Sequence, residues 1–99
     1  MATASPLPDV IPEEDTDTRT RRQPPYAVIL HNDDVNSMDH VVRSLMRSVP
    51  GLGLRKSIKI MFEAHNSGRA VVIVCPLEPA ELYRDRLQSC SLTATIEST

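Results

Sequence analysis

Tyr26-Ala27-Val28-Ile29-Leu30-His31-Asn32-Asp33-Asp34-Val35-Asn36-Ser37-Met38 changes character twice within one short stretch. Tyr26 to Leu30 is an unbroken β-branched and aliphatic run, the pattern of a buried strand. His31 to Asp34 breaks it, because Asn and Asp hydrogen-bond their own backbone and favour turns. Asn36 or Ser37 then caps a helix, with Asp39 close to its positive N-terminal end. A strand, a polar turn and a capped helix in this order begin a mixed α+β domain.

Downstream, Met38, Val41, Val42, Leu45, Met46 and Val49 recur at the spacing of one helical face, and Pro50-Gly51 ends it. A second helix is predicted from Gly53 or Leu54, burying Leu54, Ile58, Met61, Phe62 and His65 and leaving Arg55, Lys56, Lys59 and Glu63 wet. Gly68 supplies its left-handed cap. Ala70 to Cys75 has no polar face and reads as the central strand. Pro79 suits the first turn of a third helix, in which Ala80, Tyr83, Leu87 and Cys90 share a side. Leu92 to Ile96 alternates as a half-buried strand does. The order is βααβαβ. Three strands cannot cover both faces, so a small antiparallel sheet with three helices on one side is expected.

Composition narrows the function. The chain has 99 residues and a formal net charge of -2, which argues against nucleic acid as a partner. Its longest apolar run, Ala70 to Cys75, is far below the roughly 20 residues of a membrane span, and no signal peptide is visible, so a cytoplasmic protein is expected. Two cysteines, Cys75 and Cys90, do not make a disulfide framework. Residues 1–24 contain Pro6, Pro8, Pro12 and Pro24, no aromatic residue and the acidic Asp9, Glu13, Glu14, Asp15 and Asp17. Such a segment lacks the apolar surface to offset its ordering entropy, so a disordered extension is expected ahead of a core domain at 25–99.

Polar residues with chemical potential gather in His31-Asn32-Asp33-Asp34 and at His65. A metal would enlist His31, Asp33 and His65, but one H-x-D with a distant His is a weak pattern. No nucleophile elbow and no Gly-rich phosphate loop occurs, Cys75 lies mid-strand, and neighbouring carboxylates such as Asp33 and Asp34 diverge, so no catalytic residue and no cofactor are expected. A carboxylate, an amide oxygen and a neutral imidazole are all acceptors and together suit an ammonium. Met38 and Val41 beside them would accommodate an apolar side chain. The same residues serve equally as turn caps and core, and spacing alone leaves both accounts open.

The Tyr26–Met38 stretch, together with Ile60-Met61-Phe62-Glu63-Ala64-His65-Asn66-Ser67-Gly68-Arg69-Ala70 and the closing Leu92-Thr93-Ala94-Thr95-Ile96-Glu97, resembles the ClpS adaptor family over residues 25–97. The resemblance implies an N-degron adaptor. It would bind proteins with N-terminal Leu, Phe, Tyr or Trp and pass them to a Clp AAA+ unfoldase, ClpA-like or ClpC-like, and its ClpP protease. It implies a fold similar to the C-terminal domain of the ribosomal stalk protein; a monomer is expected. By position, Asn32, Asp34 and His65 would hold the substrate's α-ammonium, with Asp33 in the same motif. Leu30, Asn36, Met38, Val41, Met61 and Leu92 would wall the side-chain pocket, Met38 keeping β-branched residues out. Glu78 matches an acidic residue that docks on the unfoldase N-domain, and Tyr83 stands where some relatives have a basic one. Burying one Leu or Phe side chain contributes roughly 1.5–3 kcal/mol, and charge-assisted bonds add a similar amount each. After the cost of association, affinity on the order of micromolar is expected. The alternatives are a Clp-interaction domain that regulates the unfoldase without N-degron recognition, and a small hydrolase or metalloprotein using His31, Asp33 and His65.

Overall fold

The computed structural model describes residues 24–99; the extension expected at residues 1–24 lies, but for Pro24, outside the described residues. The elements run β1 (Tyr26–His31), α1 (Met38–Ser48), α2 (Leu54–Ser67), β2 (Arg69–Cys75), α3 (Leu77–Ser89) and β3 (Thr93–Ser98). This is the α+β order expected from the sequence. The strands form one antiparallel sheet in the order β2-β1-β3, with Leu30 opposite Ala70 on one side and Ala94 on the other.

β1 is therefore the central strand, and the expectation that Ala70–Cys75 holds the centre is corrected. Both runs are apolar throughout, and periodicity does not separate a centre from an edge. Burial does: Ala27, Val28, Ile29 and Leu30 are all buried, whereas Val71 on β2 is 48% exposed. β2 carries a bulge, since Val28 faces Ile73 while Ile29 faces Val71, leaving Val72 as the extra residue. The bulge turns both Val72 and Ile73 towards the core.

One face of the sheet takes all three helices. Val28, Leu30, Val72 and Ala94 pack there with Leu45 and Val49 of the α1 segment, Ile60 and Ala64 of α2, and Ala80 and Leu87 of α3. Ile29 points to the opposite face, where no helix covers it. Arg69 stands opposite His31 and Glu97 opposite Ala27, so the Arg69–Glu97 ion pair (2.7 Å) crosses β1 above Ile29. His31 Nε2 also reaches Thr95 Oγ1 at 2.7 Å, diagonally across the same face. These long side chains cover Ile29 with their stems.

The helices follow their caps. Ser37 Oγ accepts from His40 N at 3.1 Å and starts α1, whose buried stripe is Val42, Leu45 and Val49; Met38 and Met46 are exposed at its border. α2 departs further from expectation. Its buried face is Ser57, Ile60, Met61 and Ala64, while Leu54 and Phe62 are 57% and 45% exposed and His65 is exposed. The helix is rotated because small residues, Ser57 and Ala64, let its backbone approach the sheet and α1. In α3, Ala80 and Leu87 are fully buried, with Tyr83 and Cys90 half-buried beside them.

Ser57 carries the one buried side-chain oxygen without a hydrogen-bond partner among the described residues. An unpaired buried hydroxyl costs free energy, and Ala is the better helix former. Ser57→Ala is expected to raise stability by about 1 kcal/mol, read as a higher urea midpoint at unchanged slope. A lower midpoint would show that the hydroxyl contributes a contact.

Candidate functional site

Three chain segments converge where β1 ends, α1 begins and α2 closes. Gly68 caps α2 at φ +91, with its N–H donating to the Ala64 carbonyl at 2.8 Å. The Gly68 carbonyl in turn accepts from Asn32 N at 3.0 Å. A β-branched residue would strain that left-handed cap. The cap therefore sets Asn32, just past the strand, beside the last turn of α2 and His65.

Asp33 builds the turn that follows. Its Oδ1 accepts from Val35 N at 3.0 Å, Asn36 N at 2.9 Å and Asn36 Nδ2 at 3.2 Å, and its Oδ2 from the same Nδ2 at 3.1 Å. These bonds favour the charged form. The Asn36 backbone N–H first of all, against the opposing effect of burial, holds the Asp33 carboxyl below its ordinary value of 3.8. The Asn36 side chain, the Val35 N–H and the charge of His40 act in the same direction. Oδ1 is crowded, but Oδ2 takes one donor and retains room for another.

The convergence encloses a hollow. Leu30, Met38, Val41, Met61 and Ala64 form its apolar walls, and His31, Asn32, Asp33, Asn36 and His65 its polar border. The structure thus brings together Asn32, Asp33 and His65 with Leu30, Asn36, Met38, Val41 and Met61. It does not bring in Asp34, which is exposed beyond Asp33, or Leu92, which is 4% exposed within the main core. Ala64 in the wall was not singled out by the sequence, and His31 on the border was named there only in the polar cluster and as a metal candidate. Ala64 was legible as the position one turn beyond Ile60; His31 carries no separate signal.

Chemically, the border offers acceptors and one carboxylate, and the walls offer aliphatic surface. That combination suits a primary ammonium attached to an apolar side chain. His31, Asp33 and His65 all border the hollow, but among the described residues no group of three His, Cys, Asp or Glu side chains is arranged to hold a metal ion. Cys75 is half-buried, and desolvation pushes its thiol above its ordinary value, away from the reactive thiolate.

A second hollow lies at the opposite end of β1, lined by Pro24, Tyr26, Pro76, Leu77, Glu78 and Pro79. Glu78 is exposed in the first turn of α3, and Tyr83 is half-buried against the core. A strand of this length separates the two hollows by roughly 17–20 Å. No helix among the described residues is long and apolar enough to cross a membrane.

Residues 21–95 match the family described as "ATP-dependent Clp protease adaptor protein ClpS". The chain is 44% identical over 89 residues to the ATP-dependent Clp protease adapter protein ClpS of Synechococcus elongatus, covering 90% of this chain and 94% of that protein. It is 41% identical over 87 residues to the chloroplastic adapter protein CLPS1 of Arabidopsis thaliana, covering 86% of this chain and 55% of that protein. Among solved structures, it is similar to Agrobacterium tumefaciens ClpS2 bound to L-phenylalaninamide, with a TM-score of 0.75 and 27% identity over 79% of this chain and 100% of that one.

Proposed function

The chain belongs to the ClpS family of Clp protease adapters, and on that premise we propose that the hollow at the end of β1 receives the first residue of an N-degron substrate. Asn32, Asp33 and His65 accept from the α-ammonium. Asp34 adds negative charge nearby without touching it. Leu30, Asn36, Met38, Val41 and Met61 surround the side chain, which is Leu, Phe, Tyr or Trp, and Leu92 supports that wall from the core. Met38 at the edge excludes β-branched residues. The observation that carries this reading is the acceptor-lined border joined to an apolar hollow. The similar ClpS2 supports it, because the L-phenylalaninamide it binds has a free α-ammonium and an aromatic side chain.

Delivery completes the proposal. A Clp AAA+ unfoldase N-domain docks at the other end of the strand, around Glu78 and Tyr83, leaving the substrate hollow open while the unfoldase and its protease engage the cargo. The adaptor works without catalysis or a cofactor, as a monomer in the cytoplasm.

The test uses fluorescence anisotropy with labelled peptides that begin with Leu or Phe. Binding of the free peptide in the micromolar range is expected. Acetylation removes the charge and two donors and leaves acceptors unpaired beneath the bound peptide, so the blocked peptide is expected to bind at least roughly 100-fold more weakly. Equal binding of both forms would overturn the reading.

A further inference from the structure

The start of α1 is tied to the turn between α3 and β3 by two side chains. Asn36 Nδ2 donates to the Ser91 carbonyl at 2.8 Å, and His40 Nε2 lies 2.7 Å from the Cys90 carbonyl oxygen. A carbonyl only accepts, so Nε2 is the donor in this contact. The receiving turn is itself well held. Cys90 N donates to the Leu87 carbonyl at 3.0 Å, Ser91 N to that of Gln88 at 2.9 Å and Leu92 N to that of Leu87 at 3.1 Å, above the fully buried Leu87 side chain. Ser91 adopts φ +69, the left-handed conformation that turns the chain from α3 into β3.

The Ser37 cap bond is internal to α1 and does not orient the helix relative to the sheet. Asn36 alone would act as a pivot. His40, one helical turn further on, supplies a second fixed point, and two points set the direction of the helix. The turn so fixed carries Met38 and Val41, two walls of the hollow. His40 itself is not a wall residue.

We propose that His40 is a positioning residue, whose bond to the Cys90 carbonyl holds Met38 and Val41 at the distance from Leu30 and Met61 that sets the width of the hollow. The consequence for ligands rests on the N-degron reading; the positioning of Met38 does not. In His40→Phe a flat aromatic ring, somewhat larger than imidazole, remains and the donor is lost. The freed turn moves outward, so affinity for a Leu-initiated peptide falls about five-fold while that for a Trp-initiated peptide changes by less than about two-fold. His40→Gln presents an N–H donor at similar reach and keeps the wild-type ratio.

The experiment compares full-length wild type, His40→Phe and His40→Gln by two readouts. The first is the Met38 methyl resonance without ligand, expected to shift in His40→Phe and to stay in His40→Gln. The second is the ratio of Leu to Trp peptide affinities by anisotropy, with N-acetylated peptides as controls. An unmoved Met38 methyl in His40→Phe overturns the proposal, as does an equal loss for both peptides. A shift in His40→Gln as large as that in His40→Phe also overturns it, since the donor would then be irrelevant. If wild type binds neither free peptide, the N-degron reading falls, and the methyl resonance alone still decides whether His40 positions Met38.

Discussion

Asp33→Asn is expected to weaken binding of a peptide with a free N-terminal Leu or Phe by roughly 10- to 100-fold, the value of one charge-assisted bond. The substitution is chosen to keep the turn. An Asn side-chain oxygen still accepts from Val35 N and Asn36 N, as Asp33 Oδ1 does. What it loses is the charge and the second carboxylate oxygen, which accepts from Asn36 Nδ2 at 3.1 Å. Asp34→Asn, at an exposed carboxylate outside the hollow, is expected to change affinity by less than about three-fold, and that small effect should fade with added salt. Anisotropy titrations of the two variants settle the order. A larger loss in Asp34→Asn would return the ammonium contact to the position that the family resemblance implied. Asp33 also has a stability signature. Its carboxyl titrates lower in the folded chain than its ordinary 3.8, so its contribution is fully present above that value and disappears as pH falls through the lower folded one. Urea midpoints followed downward through pH 4 should therefore decline less in Asp33→Asn than in wild type.

Leu45→Ala is expected to cost about 3 kcal/mol or more, within the 2–5 kcal/mol typical of fully buried leucines. Leu45 has no exposed surface and shares one cluster with Val28, Ile60 and Leu87, so helix, sheet and neighbouring helices all meet it. At roughly 0.05–0.15 kcal/mol per residue, a domain of this size has only about 4–11 kcal/mol in total. The variant should therefore melt far earlier and lose a substantial share of its folded population on warming. Phe62→Ala removes a larger side chain that is 45% exposed, and is expected to cost less than about 1 kcal/mol. Chemical denaturation of both separates the two readings of α2: a comparable loss in Phe62→Ala would mean that the ring is buried after all.

The sequence was most readable where pattern and burial coincide. β1, the Ser37 cap, the Gly68 cap, the side of α3 that carries Ala80 and Leu87, and the alternation after Leu92 all follow from local chemistry. The rotation of α2 does not. Leu54, Ile58 and Phe62 form as regular a stripe as Ile60, Met61 and Ala64, and only the close approach allowed by Ser57 and Ala64 decides between them. The centre of the sheet was equally hidden, because two apolar runs compete for it and pairing is a long-range property. At the site, Asp33 and Asp34 are chemically identical neighbours. The turn bonds from Val35 and Asn36 give Asp33 its inward position, and no spacing rule encodes that. Leu92 reads as a wall but lies under the turn, in the core.

Among the described residues the central strand comes first, and its two hydrogen-bonding edges await partners from later in the sequence. Tyr26 pairs with Ser98 and Leu30 with Ala94, both far along the chain from β1. Long-range pairings of this kind form late and close slowly. Until β3 pairs, α1 and α2 have no complete sheet to lie on, and the polar border at the end of β1 has no fixed scaffold. β3 closes the second edge of β1 and completes the sheet on which the site rests.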